Sequence, residues 1–199
     1  MSVLVNRPAP DFVAPAVLAN GSIVEDFDSS TLRGKYVVVF FWPLDFTFVC
    51  PSEIIAHNNR MDKFKALGVE VLGVSIDSQY THYAWRNTPV EKGGIGPVEF
   101  VMVADVKHEI TRAYGIEHDD GVALRASFLI DRKGIVQHQV VNNLPLGREV
   151  DEMIRLIEAL QFTEEHGEVC PAGWRKGQKG MKADAEGVAA YLAENAGQL

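Results

Sequence analysis

Cysteine is scarce in this chain. Its 199 residues include only Cys50 and Cys170, too few for a disulfide-dense scaffold and too far apart for a CxxC redox or zinc motif. Positive charge is also in deficit. The 19 basic and 27 acidic side chains give a formal net charge of -8, and a surface of that sign repels phosphate backbones and anionic lipid. Neither nucleic acid nor a membrane is expected as a partner. Long hydrophobic runs are missing: the longest strongly apolar one, Tyr36 to Trp42, falls well short of the roughly 20 residues a bilayer-spanning helix needs. The early apolar stretch is interrupted by Asp11 and Pro15, so it lacks the unbroken core of a signal peptide. Cytoplasmic residence is the expectation. The histidines, His57, His82, His108, His118, His138 and His166, show no metal-ligand spacing, and there is no dinucleotide glycine fingerprint, P-loop or serine elbow. No metal or bound cofactor is expected.

What remains is an ordinary globular composition, 47% hydrophobic and 23% charged, which suits one core with an arm or tail. Tyr36 to Phe41 is a β-branched and aromatic run that reads as a central strand buried on both faces. After Cys50, Pro51 and Glu53 announce a helix that carries Ile54, Met61 and Phe64 before Gly68 stops it. Val69 to Ile76 returns to strand character, so the segment is a right-handed βαβ candidate. Tyr80 to Asn87 reads as a helix, Phe100 to Val103 as a short strand and Val106 to Tyr114 as a further helix. Ala126 to Ile130 and Ile135 to Val141 flank an Asp-Arg-Lys-Gly turn and form a hairpin. A helix bearing Val150, Met153, Ile154, Ile157 and Leu160 on one face then closes the set, as a helix covering a sheet should.

A βαβ unit followed by ββα predicts an α/β, thioredoxin-like fold: a central mixed sheet flanked by helices over residues 1–162. Residues 163–199 read as a C-terminal arm that carries Cys170 and ends in an Ala-rich helix near Asp184 to Asn195. Val188, Tyr191 and Leu192 share a face of that helix and need apolar cover, for which a partner subunit is one candidate.

A lone intracellular cysteine is most often a small buried hydrophobe. Cys50 has neighbours that argue otherwise. The chain leaves a central strand, turns through Pro43 to Val49 and enters a helix at the cysteine, where partial positive charge favours thiolate over thiol. Taken singly, Thr47 reads as a turn hydroxyl and Arg125 as a surface cation. Glu53 serves equally as a first-turn cap or as a member of a polar network, and Arg148 is readable as a solvated cation. Trp42, Trp85 and Trp174 read as packing residues.

The pattern Pro43-x-x-x-Thr47-x-x-Cys50 resembles that of the peroxiredoxins, most closely their typical two-cysteine branch. Arg125 before Ala126-Ser127-Phe128-Leu129-Ile130-Asp131, Leu144-Pro145-Leu146-Gly147-Arg148, and Val169-Cys170-Pro171-Ala172-Gly173-Trp174 extend the resemblance over nearly the whole chain. It implies a thiol peroxidase that reduces hydrogen peroxide and small organic hydroperoxides. Cys50 would be the peroxidatic nucleophile, Cys170 of a partner subunit the resolving thiol, and Pro43, Thr47 and Arg125 the peroxide pocket, with Glu53 and Arg148 in support. It also implies a homodimer that assembles into a decamer, and thioredoxin or a flavoprotein disulfide reductase as electron donor. Gly93-Gly94-Ile95-Gly96 resembles a glycine loop that, with a C-terminal Tyr-Phe pair, favours over-oxidation in some members, but Tyr191-Leu192 stands here instead. A general disulfide oxidoreductase is disfavoured by the missing CxxC. An oligomeric holdase chaperone or redox-signalling scaffold is the alternative reading.

Overall fold

A computed structural model describes residues 3–198, so Met1, Ser2 and Leu199 lie outside it. Two units are distinguished, one running to Val150 and one beginning at Asp151. The first is built on strands β1 (Val13–Val17), β2 (Ile23–Asp28), β3 (Tyr36–Phe41), β4 (Val69–Ser75), β5 (Val101–Ala104), β6 (Arg125–Ile130) and β7 (Val136–Asn142). Its helices are α1 (Cys50–Asn58), α2 (Met61–Ala66), α3 (Gln79–Arg86) and α4 (Glu109–Ala113). The strands form one mixed sheet in the order β2-β1-β5-β4-β3-β6-β7. β3, β4 and β5 run parallel, and β6 turns back antiparallel to β3 with β7 beside it. This is the thioredoxin-like α/β arrangement expected from the βαβ and hairpin signals.

All six residues of β3 are buried, as its unbroken apolar run requires. Val37, Val39 and Phe41 join Leu72, Val74, Phe128 and Tyr114 in the core on one side. On the other, Phe40 and Trp42 meet Phe100 over Gly73, where a Cβ would lie 2.7 Å from the Trp42 ring. That bare backbone lets the indole settle onto β4. Phe40 also supports α1: the His57 ring stacks on it at 3.9 Å between centroids and 5° between planes, while Ile54 beside it is fully buried. The helix that begins at Cys50 is thus seated on the central strand through its apolar face.

The elements differ from the sequence expectation in four places. The single helix expected between Cys50 and Gly68 is two helices, because Arg60 leaves helical geometry with φ -115 and ψ 7; Ile54, Met61 and Phe64 are nonetheless all buried, so the apolar periodicity outlasts the break. The helix expected from Val106 begins only at Glu109. His108 stands in the left-handed region at φ 60, and the Asp105 carboxylate accepts hydrogen bonds from the amides of Ile110 and Thr111 at 3.0 and 2.7 Å, which fixes the later start. The β1–β2 hairpin went unread. In the second unit, α5 (Val150–His166) continues four residues beyond Phe162, and α6 (Ala185–Asn195) is capped by Asp184, whose side chain accepts from the Gly187 amide.

His57 makes the seating of α1 sensitive to acid. Burial pushes its imidazole down to about 3 from 6.5, and the nearby Arg148 charge acts in the same direction. Its neutral Nδ1–H donates to the Glu53 carbonyl at 2.7 Å. In the unfolded chain the ring titrates near its ordinary value, so between about pH 6.5 and about pH 3 the unfolded state binds more protons and stability falls as pH falls. Denaturant melts of wild type and His57→Phe at about pH 7 and about pH 5 should show wild type losing about 2 kcal/mol more than the variant across that interval. Equal losses would mean that the folded protein protonates this ring.

Candidate active site

Trp42 to Val49 connect β3 to α1, and the first helical residue is Cys50, with no exposed surface. Val49 at the N-cap position makes no side-chain cap bond. Pro51 occupies the first turn, where a missing N–H costs nothing. The Cys50 Sγ lies 2.9 Å from the Thr47 hydroxyl and 3.3 Å from the Arg125 Nη1. Thr47 also donates to the Leu44 carbonyl, at 2.8 Å. Having one hydrogen, its hydroxyl can serve that carbonyl while accepting from a thiol, or turn to a sulfur anion. Pro43 is buried at the start of the same connection.

Arg125 opens β6 and Arg148 lies beyond β7, yet both guanidinium groups converge on Glu53 in the first turn of α1. The Glu53 Oε2 accepts from Arg125 Nη1 at 2.8 Å and Arg148 Nη2 at 3.0 Å. Its Oε1 accepts from the Arg148 amide at 2.9 Å and Arg148 Nε at 2.8 Å. Arg125 Nε donates to the Leu144 carbonyl at 2.6 Å, and Arg148 Nη1 donates to the Ala126 carbonyl and the Ser127 hydroxyl. The three side chains are 5%, 3% and 2% exposed for Arg125, Arg148 and Glu53. Burial by itself would raise the Glu53 carboxyl; the hydrogen bonds and charge of Arg148, with the charge of Arg125, outweigh it and hold the group below the usual carboxylate range. Two guanidinium groups and one carboxylate leave one positive charge in excess beside the Cys50 sulfur.

The sequence left Glu53 divided between cap and network. Its carboxylate goes to the network. Gly147 lies against Val49 and Glu53, with 3.5 Å from Val49 to where a Cβ would stand, so the loop bearing Arg148 can come close to the helix start. The structure therefore brings Thr47, Glu53, Arg125 and Arg148 together around Cys50.

A second buried pair escaped the sequence reading. His82, on α3, accepts or shares a proton with Asp45 through Nδ1 at 2.7 Å and donates from Nε2 to the Val103 carbonyl at 3.1 Å. Both side chains are fully buried. Asp45 also accepts from Trp42 Nε1 at 2.8 Å, and its amide donates to Asp77 at 2.9 Å. Burial pushes the Asp45 carboxyl up, against the pull of His82 and Trp42. These bonds brace the connection on which Pro43 and Thr47 stand. The two residues are 37 positions apart, and no local pattern links them.

Cys170 belongs to the second unit. It is partly exposed, with its thiol 3.5 Å from the Ala159 carbonyl and 3.7 Å from the Thr163 hydroxyl. Its segment is closed by paired backbone bonds between Val169 and Met181, both 2.9 Å. Phe162 packs on Trp174 at 4.8 Å, and Arg155 donates to the Trp174 carbonyl. Among the described residues there is no cluster of three or more His, Cys, Asp or Glu side chains able to hold a metal ion, and no helix is long and apolar enough to cross a membrane.

Removing the charge of Glu53 leaves two buried guanidinium groups facing each other. Glu53→Gln keeps the side-chain volume but is expected to cost about 3–5 kcal/mol in denaturant unfolding. An unchanged midpoint and slope would show that neither arginine depends on this carboxylate.

The AhpC/TSA family model matches residues 5–139, and the model for the C-terminal domain of 1-Cys peroxiredoxin matches residues 159–194. Alkyl hydroperoxide reductase C of Helicobacter pylori strain J99 is 58% identical over 198 residues, 99% of this chain and 100% of that protein. Peroxiredoxin-2 of Cricetulus griseus is 51% identical over 192 residues, 96% of each chain. Among solved structures, the reduced 2-Cys peroxiredoxin of Plasmodium vivax superposes with a TM-score of 0.94 at 50% identity, covering 96% of this chain and 100% of that one. With agreement on this scale along nearly its entire length, the chain belongs to the AhpC/TSA family, on its two-cysteine peroxiredoxin branch.

Proposed function

We propose that the protein is a thiol-dependent peroxidase that reduces hydrogen peroxide and small organic hydroperoxides, with Cys50 as the nucleophile. The observation that carries this reading is a wholly buried sulfur addressed at once by the Thr47 hydroxyl and the Arg125 guanidinium, 2.9 and 3.3 Å away. The sulfur anion attacks the terminal oxygen of the hydroperoxide: an S–O bond forms, the O–O bond breaks, sulfur is oxidised, and the departing oxygen takes up a proton to leave as water or alcohol. Negative charge builds on that oxygen in the transition state, and donors already aimed at the site stabilise it without reorganising. Thr47 and Arg125 supply those donors. Glu53 and Arg148 hold Arg125 in place. Pro43 has no N–H and a fixed φ, so it walls the pocket without competing for protons.

The product is a Cys50 sulfenic acid, which a second thiol converts to a disulfide. Cys170 of a partner subunit fills that role, giving an intersubunit bond. The 163–199 arm that carries it is then the resolving module of a 1–162 peroxidase domain. The relatives' names, alkyl hydroperoxide reductase C and 2-Cys peroxiredoxin, support the substrate class and the two-thiol cycle. The resemblance to the family further implies a homodimer that assembles into a decamer, reduced by thioredoxin or a flavoprotein disulfide reductase in the cytoplasm. The chemistry needs no cofactor, since both redox atoms are cysteine sulfurs.

Thr47→Val keeps the shape of the side chain and removes its hydroxyl. Stopped-flow oxidation of Cys50 by hydrogen peroxide is expected to slow by about 10²–10³-fold in that variant, the usual cost of one oriented donor, and to be abolished in Cys50→Ser. A Cys50→Ser protein that consumes peroxide at the wild-type rate would end the proposal. On nonreducing gels after peroxide treatment, wild type should form covalent dimers and Cys170→Ser should not; dimers of equal yield in the variant would remove Cys170 from the cycle.

A further inference from the structure

The second sulfur has a hydroxyl of its own. On α5, Arg155, Ala159 and Thr163 recur at intervals of four and lie along one face of the helix. The Cys170 sulfur meets that face, 3.5 Å from the Ala159 carbonyl and 3.7 Å from the Thr163 hydroxyl. The Thr163 hydroxyl in turn donates to the Ala159 carbonyl at 3.0 Å, so carbonyl, hydroxyl and sulfur close a triangle. Thr47 is likewise shared between a carbonyl, that of Leu44, and the Cys50 sulfur. An arginine accompanies each threonine. Arg155 is clasped by Glu152 at 2.7 and 2.6 Å and donates to the Trp174 carbonyl at 2.9 Å, as Arg125 is divided between Glu53 and the Leu144 carbonyl. The Glu152 hydrogen bond raises the Arg155 guanidinium above its ordinary value, and the charge of a Cys170 thiolate acts in the same direction. The segment around Cys170 is fastened at further points. Val169 pairs with Met181, the buried Trp174 donates from its indole to the Gln178 carbonyl at 3.1 Å, and a Cβ on Gly180 would stand 2.6 Å from the Phe162 ring. Cys170 therefore has a fixed place against α5.

We infer that Thr163 serves the resolving thiol as Thr47 serves the peroxidatic one: its hydroxyl turns from the Ala159 carbonyl to the Cys170 sulfur as that sulfur ionises, and so readies the nucleophile that closes the disulfide. This rests on the reading of Cys170 as the resolving thiol and adds to it the side chain that makes the sulfur reactive. A threonine hydroxyl has one hydrogen and two lone pairs. While Cys170 is a thiol, that hydrogen stays on the Ala159 carbonyl and the oxygen can accept from S–H. Once the thiol proton has passed to solvent, rotation about the C–O bond brings the hydrogen onto the sulfur, and no heavy atom has to move. The Ala159 carbonyl keeps its partner in the helix ladder meanwhile. A hydrogen bond to an anion is about twice as strong as one between neutral groups, so the exchange favours the sulfur anion. That anion attacks the Cys50 sulfenic sulfur. An S–S bond forms and the S–O bond breaks; the Cys170 sulfur is oxidised, the Cys50 sulfur is reduced, and the departing hydroxide takes a proton from solvent to leave as water. The proton lost by Cys170 balances the one gained by hydroxide. Because a stabilised anion is also a weaker nucleophile, the gain in rate is smaller than the gain in anion.

The test compares wild type with Thr163→Val, which loses the hydroxyl, and Thr163→Ser, which keeps it. In full chains given an equimolar amount of hydrogen peroxide, quenched flow and nonreducing gels follow the disulfide between Cys50 and Cys170. In Cys50→Ser chains carrying the same substitutions, alkylation by iodoacetamide reads the readiness of Cys170 with no peroxide chemistry involved. At about pH 7 an ordinary thiol is mostly protonated. Both rates are there expected to fall about three- to tenfold in Thr163→Val and to return within about twofold of wild type in Thr163→Ser, the range left of one charge-assisted hydrogen bond once the weaker nucleophilicity is deducted. Rescue by serine is what a merely structural threonine would not give. Wild-type rates in Thr163→Val, a Thr163→Ser chain as slow as the valine variant, or slowing in only one of the two readouts would each overturn the inference. Thr163→Ala, which also lacks the hydroxyl, takes the place of the valine variant should that one misfold. If wild type itself forms no disulfide between Cys50 and Cys170, the two-thiol reading fails, and the alkylation rates still decide whether Thr163 serves the sulfur.

Discussion

The Glu53 carboxylate takes four hydrogen bonds, three from Arg148 and one from Arg125. It ties the first turn of α1 to the start of β6 and to the loop after β7. Arg125 is spanned between this carboxylate and the Leu144 carbonyl, so the nitrogen that faces Cys50 has little freedom. The arrangement is costly to build, since buried charges lose their hydration, and it holds only because each lone pair of the carboxylate has a donor. One carboxylate thus joins three parts of the site.

The fold makes this arrangement possible from beneath. Phe40 on β3 carries the stacked His57 ring on one side of α1 and has the Arg148 guanidinium 5.7 Å above its own ring. The central strand thus sets both the helix that bears the sulfur and the cation that bears the carboxylate. Asp45 and His82 fasten the connection above β3 from a third direction. The chemistry gains more from this orientation than from thiol acidity. A more acidic thiol offers more anion but a weaker nucleophile, so the two effects largely cancel. Donors placed in advance where charge will develop carry no such offset.

Much of this was legible in the sequence. The β-branched and aromatic run of β3, the strand–helix–strand order and the hairpin of β6 and β7 announced themselves through periodicity and turn chemistry. β1 did not, because Pro15 sits inside it; the sheet accommodates that proline at a register irregularity between Ala14 and Ala16, where a missing N–H is tolerated. β2 lies at the sheet edge and carries Glu25 and Asp26, which reads as solvent rather than strand. Glu53 was ambiguous for a physical reason: a first-turn acid favours the helix dipole whether or not it also meets an arginine. Asp45 with His82 was invisible because the pair is made by the packing of α3 beside the β3 connection. Neither spacing nor hydrophobic period encodes such a contact.

The most direct test of the central claim separates charge from orientation at Arg125. Arg125→Lys retains the positive charge but loses the planar fork that reaches the Glu53 carboxylate, the Leu144 carbonyl and the Cys50 sulfur together. If held geometry is what accelerates the reaction, the stopped-flow rate constant for Cys50 oxidation by hydrogen peroxide will fall by about 10²-fold or more. A lysine variant that reacts as fast as wild type would show that a nearby cation suffices and would contradict the account.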